Sequence, residues 1–387
     1  MRTKQMTKKV ISAVISASLL LGLAACGSNQ NSSGDSQRKD ASAIREENQL
    51  SGSGDTQQTE SVSEDISDES IEEDSQEEEA AAKKTEYPVT ITTYNSEGQA
   101  METTYEKAPE RVVAVYQGCI ETMLSLGLSD HLIATAGLDN EVPDDQKEAF
   151  SKTNYLDEFT PSLETITMLE PDMIFSWGSL FGEKTLGEAK GWVDKGVNTY
   201  MNSNTHPSGG TAYAKTLENE YTDILNIGVI FDVQEKAEQI VNDMKDTVEE
   251  VVTKTEGLEE RPSVLILESG KDSFTNYGAN SLGGDMVTKL GGELLLPDVS
   301  NVGKEDIISA NPDVIFVVYM PYSGDDPEQI REEKLNVFLE EEAFASLSSV
   351  QNQRVVPIML SEMYASATRT KDGIVTFAKG LYPDLDL

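Results

Sequence analysis

Two stretches of this chain set the same residue types at the same spacing. They are Leu163-Glu-Thr-Ile-Thr-Met-Leu-Glu-Pro171-Asp-Met-Ile-Phe175 and Lys304-Glu-Asp-Ile-Ile-Ser-Ala-Asn-Pro312-Asp-Val-Ile-Phe316. In each, a glutamate, Glu164 or Glu305, stands seven residues before the proline of a Pro-Asp-X-Ile-Phe segment. Proline turns the residue before it away from helix, so each stretch reads as a short helix, a turn and a buried strand. The glutamate then falls in the first helical turn, where a carboxylate offers charge-assisted hydrogen bonding. For one such residue the helix dipole is explanation enough. Two at one offset ask for more. Other chemistry is sparse. The only histidines, His131 and His206, lie far apart, and no cluster of His, Asp and Glu is spaced to hold a bare metal ion. His131 reads as structural and His206, in a polar loop, as solvated. No Gly-x-Gly-x-x-Gly follows the first strand, and there is no Gly-Lys-Ser/Thr phosphate loop or Gly-x-Ser-x-Gly elbow, so catalytic residues are not expected.

The elements that must position these residues centre on Asp232 to Glu256. Val233, Ala237, Ile240, Val241, Met244, Val248, Val251 and Val252 recur there at steps of three and four, which predicts one long amphipathic helix with a buried face. Asp232 is expected to cap its first turn with Glu235 reaching back, and Gly257 with Arg261-Pro262 to stop it. Before it, a hairpin around Asn95-Ser-Glu-Gly98, a strand at 111–115, a helix at 118–128 ended by Gly127, and strands at 131–136 and 172–176 are predicted. After it, strands at 263–268 and 313–319 flank a helix near 285–290. This rhythm predicts an α/β fold of two Rossmann-like lobes with mainly parallel sheets, bridged by the long helix. An ordinary packing helix inside one large domain gives the same periodicity. The pattern repeated on both sides favours the bridge.

The remaining sequence bounds location and partners. Residues 1–25 carry Arg2, Lys4, Lys8 and Lys9, then an apolar run from Val10 to Leu23, and read as an export signal. Its end, Leu23-Ala24-Ala25-Cys26, resembles the bacterial lipobox, which implies that Cys26 is lipidated and becomes the first residue. Between Gly27 and Glu86 there are 17 acidic and 5 basic residues and almost no large apolar groups, so 26–86 reads as a solvated tether. The expected divisions are therefore the signal, the tether, a first lobe at 87–231, the helix at 232–257 and a second lobe at 258–387. A formal net charge of −39 argues against nucleic acid and against a basic membrane-binding patch. The second cysteine, Cys119, reads as a buried inert thiol.

From Ala108 to Pro383 the chain resembles the solute-binding proteins of bacterial ABC transporters for ferric siderophores, cobalamin and haem. The resemblance is carried by Pro109-Glu-Arg-Val-Val-Ala114, Glu121, Leu124-Ser-Leu-Gly127, the two Pro-Asp motifs and Leu290-Gly-Gly292. It implies ligand held in a cleft between the lobes, no cofactor, a monomer tethered outside the cell membrane, and partnership with an ABC permease and its ATPase. It also implies that Glu164 and Glu305 dock into arginine pockets of that permease.

Open α/β sheets place their sites at the carboxyl ends of the strands, as this family does. Candidate ligand contacts are then Tyr116 and Gln117 after the first strand, Tyr155 shortly before the Glu164 helix, Trp177, Phe274 and Tyr277 after later strands, and Arg369 in the loop before the last helix, suited to an anionic chelate. Scattered aromatics suit a ferric siderophore, and equally a corrinoid or haem; the siderophore is preferred because no axial ligand motif for haem stands out. A surface sensor or adhesin on the same scaffold is the alternative outside transport.

Overall fold

The computed structural model describes residues 84–205 and 214–387. The signal, Cys26, nearly all of the acidic stretch and His206 lie outside the described residues. The first strands, β1 (Val89–Tyr94) and β2 (Ala100–Tyr105), form the antiparallel hairpin expected around Asn95, whose carboxamide oxygen accepts from the backbone N–H groups of Glu97 and Gln99. Four parallel strands follow: β3 (Val112–Val115), β4 (Leu132–Ala136), β5 (Met173–Ser176) and β6 (Asn198–Met201), arranged in the order β4-β3-β5-β6. All four residues of β3 are buried, as an apolar run covered by helices on both faces requires.

The second sheet contains β7 (Ser263–Ser269), β8 (Phe274–Asn276), β9 (Glu293–Leu294), β10 (Asn301–Val302), β11 (Val314–Tyr319) and β12 (Val355–Met359). Its order is β10-β8-β7-β11-β12, with β9 beside β7. The run β7-β11-β12 is parallel and repeats β3-β5-β6 of the first sheet, whereas β8 and β10 turn the other edge antiparallel. This edge departs from the largely parallel second sheet expected from the strand–helix rhythm.

The long helix runs from Gln234 to Thr255 and buries Ala237, Val241, Met244 and Val251 in the main core, although Val252 stays 43% exposed. Its start differs from expectation. Asp232 does not cap it; the residue adopts a left-handed φ of 57°, Val233 occupies the cap without a side-chain bond, and the Asp232 carboxylate instead accepts from the Thr85 N–H. Thr85 also donates through its hydroxyl to the Val229 carbonyl and accepts from Gln234 Nε2. Attachment to the fold thus begins inside the stretch read as tether.

The two Pro-Asp motifs fold alike. Helices Leu163–Leu169 and Lys304–Ala310 end on left-handed residues, Glu170 and Asn311, ahead of β5 and β11. The Asp172 carboxylate then accepts from the N–H groups of Glu110 and Arg111 at the start of β3, both at 2.8 Å. Asp313 Oδ2 does the same at the start of β7, accepting from Ser263 N–H at 2.9 Å and its hydroxyl at 2.7 Å. Each aspartate therefore ties one central strand to its neighbour.

Candidate functional site

The strand ends of both sheets meet at a cleft, and aromatic rings cross it. Tyr116 leaves β3 with a φ of 87°, a left-handed backbone that a tyrosine adopts only where the surroundings hold it, and its N–H donates to the Ala136 carbonyl. Its ring packs on Trp177, which follows β5, with centroids 3.8 Å apart and planes tilted by 32°. Trp177 meets Tyr364 of the second lobe at 5.9 Å, and Tyr364 meets Tyr277 edge-on at 6.4 Å. Phe159 extends the row at the Tyr116 end, at 5.8 Å. These rings leave a cavity of about 120 Å3, lined by Tyr116, Gln117, Asp139 and Trp177 on one side and Met320, Ser361 and Tyr364 on the other. A second cavity of about 230 Å3 shares the Tyr364 wall and opens toward Lys215 and Asn276.

The lobes touch closely beneath this row. Gly118, in the first turn of the helix Gln117–Ser125, faces the loop 365–367, and a Cβ there would stand 3.1 Å from the Ala365 carbonyl oxygen. Ala365 and Ala367 both take left-handed φ values of 52°, so this loop is held in a conformation alanine disfavours. Glu220 accepts from the Ala367 N–H at 2.6 Å and from Asn204 Nδ2. Burial, then the nearby Asp223 charge, pushes the Glu220 pKa up to about 8, and burial lifts Asp223 to about 7 against the bonds it accepts from Ser203 and Tyr200.

Of the residues expected at the site, Tyr116, Gln117 and Trp177 line the central cavity and Tyr277 the adjoining one. Gln117 serves there as a brace: its Nε2 donates to Glu121 and its oxygen accepts from the N–H groups of Asp139 and Asn140. Tyr155 lines a separate cavity of about 480 Å3, walled by first-lobe residues and by Ser323 of the second lobe, packs on Phe150 and accepts from the Leu138 N–H. Two expectations need correcting. Phe274 is 6% exposed and packs on Phe338 and Phe344, because antiparallel pairing of β8 turns its side chain into the second-lobe core. Arg369 is not free for a ligand. Its Nε and Nη2 donate to the two carboxylate oxygens of Glu121 at 2.7 and 2.6 Å, Nη1 donates to Ser361, and Nη2 also reaches the Glu141 carbonyl. The pair lies inside the protein, with the Arg369 side chain 10% exposed and that of Glu121 0%. Burial raises the Glu121 pKa, and Arg369 and Gln117 work against that rise.

Sequence reasoning passed over Asp139 and Tyr364. Asp139 follows the end of β4, so the strand-end rule that found Tyr116 applies to it equally. Tyr364 stands in the very stretch from which Arg369 was chosen for its charge. Burial raises the Asp139 pKa while a hydrogen bond from the Tyr116 hydroxyl lowers it. The Tyr116 and Tyr277 phenols are pushed up, chiefly by burial and next by Asp139 and Glu268 respectively. Cys119 is fully buried, and burial first and then Asp223 and Glu220 raise its pKa. His131 closes a turn before β4 instead of starting the strand, with Nδ1 2.6 Å from the Pro109 carbonyl oxygen. Among the described residues no group of three or more His, Cys, Asp or Glu is placed to hold a metal ion. Glu164 and Glu305 are exposed in their first helical turns and have no ion pair among the described residues.

Comparison with known proteins agrees with this architecture. Residues 112–359 match the model of the periplasmic binding protein family. The substrate-binding lipoprotein YvrC of an uncharacterized ABC transporter from Bacillus subtilis strain 168 is 22% identical over 310 residues, 79% of this chain and 89% of that protein. A periplasmic binding protein from Veillonella parvula DSM 2008 superposes with a TM-score of 0.71 at 30% identity, over 78% of this chain and 93% of the other. An ABC-type Fe3+-hydroxamate transport system structure from Saccharomonospora viridis DSM 43017 gives a TM-score of 0.58 at 21% identity, over 77% and 100%.

Proposed function

We propose, because this chain belongs to the periplasmic binding protein family, that it captures a ferric siderophore or similar chelated-iron complex in the cleft and delivers it to an ABC permease. That it is of the solute-binding class of ABC transporters follows from the family and from its Bacillus relative. The finer reading is carried by the aromatic row. Tyr116 and Trp177 from one lobe and Tyr364 and Tyr277 from the other line the cleft from its two sides, a lining that suits a bulky chelate with extended apolar faces. The Saccharomonospora neighbour belongs to an Fe3+-hydroxamate system, so the fold is one that serves iron-chelate transport. With only about 120 Å3 beside Trp177 and about 230 Å3 in the adjoining cavity behind Tyr364, a bulky ligand is best seated by parting the Trp177–Tyr364 contact and joining the two. The test is native mass spectrometry and visible absorbance of the purified protein against ferric hydroxamates, ferric catecholates, cobalamin and haemin. A retained ferric chromophore is the expected result; capture of cobalamin or haemin alone would overturn the iron-siderophore reading.

The same reading places the protein outside the cell membrane on a lipid attached to Cys26, supported by the lipobox and by the Bacillus lipoprotein. No helix among the described residues is long and apolar enough to cross a membrane. Cys26→Ala is expected to release the protein into the soluble fraction or stall its processing. Unchanged membrane association and mobility of that variant would refute the lipid anchor.

A further inference from the structure

Building on that reading, we infer that the ligand is an uncharged or cationic complex and that the cleft discriminates against anionic chelates. The argument rests on where the charges lie. Arg369 is the residue from which the sequence predicts an anion contact, yet its positive charge is cancelled by Glu121 through two hydrogen bonds inside the protein, and its remaining three donors go to Ser361, the Glu141 carbonyl and, weakly, Met359 Sδ at 3.9 Å. A guanidinium so engaged offers an incoming ligand neither net charge nor free N–H groups.

The charge left at the Tyr116–Trp177 end of the aromatic row is negative. Asp139 lines the central cavity beside Tyr116, and Glu268 accepts from the Tyr277 hydroxyl at 2.6 Å. Among the described residues lining that cavity there is no lysine, arginine or histidine. Lys215 stands beyond it, with its ammonium 3.5 Å above the ring of Tyr364 on the wall of the adjoining cavity. An anionic complex seated against Trp177 would therefore meet Asp139 with no opposing cation among the described residues of the same cavity, and a partly buried carboxylate is screened less than one in open water. A cation gains twice, from the carboxylate and from the electron-rich ring faces. At longer range, a chain of formal net charge −39 slows the approach of anions and favours cations.

The test is calorimetric titration of the full-length protein with three ferric complexes of graded charge. They are a neutral cyclic trihydroxamate, a trihydroxamate with a pendant ammonium, and a trianionic tris-catecholate. The neutral and cationic complexes are expected to bind at least about tenfold more tightly than the trianion. Asp139→Asn keeps the shape of the side chain and should narrow the difference between the two trihydroxamates, which share their chelating groups and differ in charge. A tris-catecholate bound as tightly as the neutral complex would overturn this inference and leave the transport reading standing. So would an unchanged difference in a normally melting Asp139→Asn protein. Binding of none of the three, nor of cobalamin or haemin, would bring down the iron-chelate reading together with it.

Discussion

At the scale of single residues, the pair formed by Glu121 and Arg369 shows how a sequence-level candidate for ligand binding becomes part of the frame. The two carboxylate oxygens meet the guanidinium edge in the bidentate geometry that makes such pairs strong, and Gln117, Ser361 and the Glu141 carbonyl take up the remaining capacity. Because the pair joins a helix of the first lobe to a loop of the second, it clasps the lobes under the cleft. Removing one member of a buried pair strands the other, at a cost of about 3–5 kcal/mol. Arg369→Ala should therefore lower unfolding free energy by about that amount. The loss should also depend on pH with a definite sign. Without the guanidinium, the Glu121 folded-state pKa, already raised by burial, rises further, so the folded state binds its proton more tightly than the unfolded chain. Stability is then retained at acidic pH and lost as pH climbs through the folded-state value, and the deficit should be larger at about pH 8 than at about pH 5. Urea unfolding at the two pH values measures this. A variant that unfolds like the parent but binds ligand weakly would return Arg369 to the ligand site.

Among elements, the two helix–Pro-Asp–strand units carry the internal symmetry of the molecule, and their aspartates and glutamates have different tasks. Asp172 and Asp313 each accept two hydrogen bonds at the start of a neighbouring central strand, β3 or β7. Bonds to a charged acceptor are worth about 1.5–3 kcal/mol, so Asp172→Ala and Asp313→Ala should each destabilise by roughly that much in chemical denaturation. Alanine at Glu164 or Glu305 should lose only about 0.3–1 kcal/mol of helix-dipole energy. Equal losses at the aspartates and the glutamates would show that the aspartate bonds do not tie the strands. These units were legible in the sequence because every feature they use is local: a proline that stops a helix, an apolar run that must be buried, an acid at a fixed offset. The long helix was legible for the same reason, since its stripe has a period of its own. Legibility failed where a distant partner decides. Phe274 was placed near a strand end correctly, but which face it takes depends on the antiparallel pairing of β8 with β7. Arg369 could not be read as a clasp because Glu121 lies 248 residues away. Asp232 looked like a helix cap until Thr85, 147 residues earlier, claimed its carboxylate.

For the whole molecule, the question is how a protein with one cleft makes itself readable to a partner in a fixed orientation. We propose that Glu164 and Glu305 serve this, since they occupy the same place in two structurally equivalent units, one per lobe, and both are exposed without an ion pair among the described residues. Neither lines the cavities at the aromatic row. Two separated carboxylates matched by two arginines fix the spacing and the axis of docking, which gives register as well as attraction. The interlobe clasp matters to the same function, because two docking points report the state of the cleft only if each lobe holds its shape. The double variant Glu164→Ala and Glu305→Ala should then keep its melting temperature and its affinity for the ferric complex, while uptake in cells, or stimulation of the ATPase in a reconstituted transporter, collapses. Each single variant should retain part of the activity, since one carboxylate still attracts the permease while orientation is loosened. Full uptake by the double variant would leave both glutamates with no more than their helix-dipole role, and the permease contact would have to be sought on another face.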